Sequence, residues 1–239
     1  MALLLDIPNL MTARALLERA GPVAPGDGPR AEGGLEEASR WSFAQLRGQL
    51  VELCAGEASA VLSFSARLIV EAQRADAPVA WVTAGESLFF APDMIRNGVD
   101  LGALAIVWPR DNAQVLRGVD ALLRSGGFGL VIVDFGEDAK ISDAQQNRLA
   151  RMAERHEATV VFLRGRPLGE GRRAAGAGVS AQRPKYTRAG ALRVSLRVEA
   201  SRIRAANGDF CCVLRALKDN RRAPGWSEKE VRHGTPGLR

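Results

Sequence analysis

Residues 50–73 read LVELCAGEASAVLSFSARLIVEAQ. The first five residues form a mostly apolar, strand-like run. The next few are small or polar, and from about residue 60 the apolar positions recur at helical spacing. The stretch is therefore read as a strand, a tight loop and a long helix. The same alternation extends outward from it. LVELC (50–54), VAWVT (79–83), ALAIVW (103–108), GLVIVD (129–134) and ATVVFL (158–163) read as strands, and helical patterns occupy 60–75, 87–97, 111–125 and 142–156. Strands that are apolar throughout are buried on both faces, and their alternation with helices implies a parallel sheet. After residue 164 the pattern changes to a Gly/Arg stretch. ALRVSLRVEASRI (191–203) and DFCCVLRALK (209–218) then alternate apolar and polar residues around NGD at 207–209, a strong hairpin turn. The expected fold is α/β: a mostly parallel central sheet flanked by helices, with a C-terminal antiparallel hairpin.

Four regions follow from this reading. Residues 1–20 hold a short amphipathic helix over 9–20, with Leu10, Ala13, Leu16 and Leu17 on one face as a docking surface. Residues 21–34, GPVAPGDGPRAEGG, are a flexible linker. Residues 35–220 are the core, and 221–239 a polar, loose tail. No apolar run approaches the ~20 residues of a membrane span. The opening MALLLDIPNL lacks the basic start of a signal peptide, so the expected location is the cytoplasm, away from membranes. Three cysteines (two of them adjacent) and two histidines give no disulfide framework and no metal-ligand spacing. No metal is expected.

The loop in the opening stretch decides the chemistry. A phosphate-binding loop reads GxxxxGK[ST]: its glycines let backbone N–H groups curl around phosphates, its Lys reaches the terminal phosphates and its hydroxyl holds magnesium. In that frame the two glycine positions are Ala55 and Ala60, the Lys is Val61 and the Ser/Thr is Leu62; Gly56 and Glu57 lie between them. All four key positions are changed. Asp134 ends GLVIVD where a magnesium-holding carboxylate would stand, but with no nucleotide opposite it can instead cap a turn. Glu86 reads as a leftover base or, more simply, as a surface residue. The expectation is a degenerate nucleotide site, no catalytic residue and no cofactor.

Charge is unevenly placed. Residues 164–239 hold 18 Arg and Lys against 6 Asp and Glu, whereas residues 1–163 are net acidic. Within 164–190, RGRPLGEGRRAAGAGVSAQRPKYTRAG, seven residues are basic and one is acidic. Arg172, Arg173, Arg183, Lys185 and Arg188 are candidate phosphate contacts, and Tyr186 a candidate stacking residue. An acidic protein partner, or no partner at all, fits the same composition.

In order and spacing, residues 50–73 and 79–134 resemble the ATPase core of the bacterial recombinase RecA. The shared features are the LVEL strand with its Glu57 loop, the NGVDLGAL turn, the PRDNAQVL helix start and ALLRSGG before the Asp134 strand. ATVVFLRGRP, GALRVSLRVEASRI and LRALKDNRRAP extend the resemblance across roughly 45–225. The departures are equally consistent. Gly85 stands at the catalytic Glu position, Arg164 and Gly165 at the nucleotide-sensing Asn-Gln pair, and FGEDAKI replaces the first DNA-binding loop. The pattern is similar to that of the ImuA family, which is RecA-like with imperfect nucleotide motifs. That resemblance implies a non-catalytic adaptor in damage-induced (SOS) translesion synthesis and mutagenesis. Its implied partners are RecA, the polymerase-like ImuB and an error-prone replicative-type DNA polymerase, with single-stranded DNA as a further ligand. The alternative is a SulA-like inhibitor of cell division that binds FtsZ; SulA-type chains lack the long basic region found here.

Overall fold

The computed structural model of the chain describes residues 10–12, 39–56, 58–84, 87–135, 141–164, 193–204 and 209–232. In chain order the elements are β1 (Leu10–Thr12), α1 (Phe43–Leu46), β2 (Leu50–Ala55), α2 (Val61–Arg74), β3 (Val79–Thr83), α3 (Ala91–Arg96), β4 (Leu104–Val107), α4 (Asn112–Ser125), β5 (Leu130–Phe135), α5 (Asp143–Arg155), β6 (Thr159–Arg164), β7 (Leu196–Arg204), β8 (Phe210–Asp219) and β9 (Ser227–Arg232). Among the described residues these strands form one sheet in the order β1-β4-β3-β5-β6-β2-β7-β8-β9. The six strands from β4 to β7 run parallel. β8 and β9 complete an antiparallel end.

The apolar runs behave as their composition dictates. In β2, Val51, Leu53 and Ala55 pack in one layer with Phe64, Leu68 and Ile69 of α2, while Leu50 belongs to the opposite layer with Val115, Val119 and Leu149 of α4 and α5. Both faces of the parallel sheet are thus covered. The helix boundaries have local causes. Asp111 caps α4 by accepting from the Gln114 N–H at 2.8 Å, and Gly126 ends it in the left-handed region at φ 66°. Ser142 and Gln145 form a capping box at the start of α5. Among the described residues no helix is long and apolar enough to cross a membrane.

Two expectations are corrected. The helix predicted over 9–20 does not begin there. Leu10–Thr12 is extended and pairs antiparallel with β4, placing Leu10 across from Val107 and Thr12 across from Ala105. An isolated short helix is marginal in water, whereas a sheet edge offers unpaired backbone groups to any nearby chain. Ala13, Leu16 and Leu17 lie outside the described residues.

The tail predicted to be loose from 221 contains β9. SEKEVR has no apolar face, yet its alternation is real. The Glu228 carboxylate accepts from the Ser39 hydroxyl at 2.7 Å and from the N–H groups of Arg40 and Trp41 at 2.5 and 3.1 Å. Arg67 of α2 reaches both Glu228 and Glu230, at 3.4 and 3.6 Å. Ion pairs, not apolar burial, fasten this strand over α2.

Candidate functional site: a phosphate-loop frame closed by its neighbouring strand

The loop after β2 stands where a phosphate cradle would be, at the carboxyl end of a central parallel strand and the start of a long helix. Its backbone is already engaged. The Gly56 and Ala60 N–H groups both donate to the Ala200 carbonyl of β7, at 2.9 and 3.3 Å. The Arg202 N–H donates to the Ala58 carbonyl at 2.6 Å, and Ser59 bridges to Ser201. The Val61 N–H, at the start of α2, donates to the Ser59 hydroxyl at 3.3 Å. Donors that a working loop aims at phosphate oxygens here continue the sheet. Ala55, Ala60 and Val61 are buried, and Leu62 packs partly buried against the same apolar layer.

Gly56 is required by this closure. A β-carbon built there would stand 2.0 Å from the Ser201 hydroxyl oxygen and 3.0 Å from its β-carbon. Gly56→Ala is expected to cost about 1–3 kcal/mol, the range for overpacking. Adding Ser201→Gly should recover most of the loss. A urea-denaturation cycle of the four proteins checks this; additive losses would show that the two positions do not meet.

Asp134, near the end of β5, holds the loop that follows β3. Its carboxylate accepts from the Ser87 hydroxyl at 2.9 Å and from the Leu88 N–H at 2.6 Å. Burial pushes its pKa above the ordinary value, and these two bonds oppose the shift. A raised folded-state pKa means that the fold favours the protonated acid. That contribution is present below the unfolded value of about 4 and is lost as pH rises through the folded value. Asp134→Asn, which keeps an acceptor oxygen, is therefore expected to be at least as stable as the wild type at pH 7. The gap should close toward pH ~4. A wild type that outlasts the Asn variant at neutral pH would mean that the charge is compensated.

Sequence reading missed a charged cluster on the α5 side of the sheet. Glu52, in the middle of LVELC, is 4% exposed. Its carboxylate pairs with Arg197 of β7 at 2.5 Å and with Arg164 of β6 at 3.3 Å. The signal was present in the sequence: a charge inside a strand buried on both faces demands a partner. Beside it the Cys54 thiol is pushed up to about 12, first by burial and then by the Glu52 charge. It therefore stays a thiol at neutral pH and is no nucleophile.

The structure thus brings Ala55, Gly56, Ala60, Val61 and Leu62 together at one end of the sheet, with Asp134 two strands away from β2. Glu57, Arg172, Arg173, Arg183, Lys185, Tyr186 and Arg188 lie outside the described residues.

Comparison with known proteins agrees with this architecture. The crystal structure of the RadB recombinase superposes with a TM-score of 0.55 at 15% identity, covering 79% of this chain and 92% of that one. The chain carries a RecA-like core. In sequence it is 36% identical over 89 residues to Protein RecA of Nocardioides sp. and 37% identical over 89 residues to Protein RecA of Corynebacterium jeikeium. That segment is 37% of this chain, and the match spans only about a quarter of each relative, 25% and 23%. No family model matches.

Proposed function

We propose that this chain is a non-catalytic, RecA-like adaptor of the ImuA type acting in SOS-induced translesion DNA synthesis. One observation carries the reading: the recombinase frame is kept, while the Ala200 carbonyl occupies two backbone donors of its phosphate loop. Val61 stands in place of the lysine that would balance the charge of a nucleotide triphosphate. The core is buried on both faces without a ligand, so its outer surfaces are free to serve binding. The partners are RecA, the polymerase-like ImuB with its error-prone polymerase, and single-stranded DNA through the basic region beyond residue 164. Fold likeness gives the setting, and the closed loop supports a reading without catalysis.

The test is capture of RecA and of ImuB by the purified chain, with and without single-stranded DNA and ATP, beside calorimetry with Mg-ATP. Binding of either protein without heat from ATP is the expected result. Retention of neither, or measurable ATP binding, would overturn the proposal; FtsZ polymerisation is the next assay in the first case.

A further inference from the structure

A groove of about 700 Å³ runs along the exposed side of α5, from Ala144 near its start to His156 just past its end, with Arg124 at the end of α4 on its other wall. Arg124, Arg148, Arg151 and Arg155 line it, with Met152 and Ala144 among them. Positions 148, 151 and 155 recur at helical spacing on α5, which places them along one side over roughly 10 Å. A single carboxylate from this pair of helices answers them: Asp120 pairs with Arg148 at 2.7 Å and with Arg124 at 3.0 Å. Arg151 and Arg155 are exposed and make no ion pair among the described residues.

We propose that this groove binds an acidic peptide segment of a partner protein that presents carboxylates next to an apolar side chain. Charge complementarity selects carboxylates, and Asp120 already shows two of these guanidiniums taking one. The partly buried Met152 supplies an adaptable apolar surface between the arginines. A nucleic acid fits less well. The imidazole of His156 is the sole ring in the lining, so there is no platform for stacked bases, and a sugar-phosphate backbone makes no use of an apolar wall. None of the lining residues belongs to the closed phosphate loop, and the inference is independent of the adaptor reading.

The experiment is fluorescence anisotropy of the full chain with three labelled probes: a short Glu-Glu-Leu repeat peptide, a Glu-Glu-Ser peptide of equal length and an oligothymidine. The leucine peptide is expected to bind about tenfold tighter than the serine peptide. Arg151→Glu with Arg155→Glu should cost at least about tenfold for the leucine peptide, and Met152→Gln several-fold, with oligothymidine binding unchanged by the double reversal. Because both arginines are exposed the fold should survive, and Arg151→Ala with Arg155→Ala provides a second, milder variant. No binding of the leucine peptide, equal binding of the two peptides, or parallel loss of the oligonucleotide would overturn the proposal. The last outcome would make the surface a phosphodiester site.

Discussion

Val61→Lys, the change that restores the phosphate-gripping residue, is expected to destabilise the protein by about 3–5 kcal/mol and to confer no ATP binding. Val61 is 1% exposed within the apolar layer over β2. An ammonium placed there loses its hydration. In a working loop the nucleotide supplies that anion, held by backbone donors. Here the Gly56 and Ala60 donors are held by Ala200, and the side chains of Ala55 and Ala60 stand where glycines would leave room. Val61→Met, which carries a long stem without charge, should cost only about 1–3 kcal/mol. Urea denaturation measures the losses, and melting with and without saturating Mg-ATP tests for rescue. A Lys variant whose melting temperature rises with Mg-ATP would reveal a latent site and end the non-catalytic reading.

The parts of the fold that were legible are those governed by burial. VAWVT and GLVIVD had to be central strands because nothing polar interrupts them, and the changed loop positions could be read one by one. What stayed hidden depends on contacts distant in sequence. β9 has a polar sequence, and its place is set by Ser39 and Arg67, more than 150 residues away. β1 was read as a helix because Leu10 fits both periods over so few residues, and the open edge of β4 decides between them. The closure of the loop is made by a backbone carbonyl, which has no signature in side chains. Only the unusual closeness of Gly56 to Ser201 marks it, and that needs coordinates. The basic positions singled out between 172 and 188 lie outside the described residues, so the candidate DNA contact rests on composition.

Glu52→Ala is expected to cost about 3 kcal/mol, at the low end of the range for orphaning a buried charge. The low end applies because Arg164 and Arg197 are about a fifth exposed, 21% and 22% by side chain, so their charges are already partly solvated. Glu52→Gln should cost less, since its amide oxygen still accepts from one guanidinium. The denaturation midpoint should fall with the urea slope unchanged, the mark of lost stability in an otherwise intact fold. The loss should persist at high salt, because a carboxylate 6% exposed is poorly screened. A loss below about 1 kcal/mol, or one erased by salt, would place these ion pairs with ordinary surface pairs. The magnitude bears on function because Arg164 occupies the position where the RecA resemblance puts a nucleotide-sensing residue. Tied through Glu52 to β2 and β7, the end of β6 is held by charge within the chain. A RecA-like core fastened in this way is expected to keep one arrangement with or without ATP, and its binding surfaces to be constitutive.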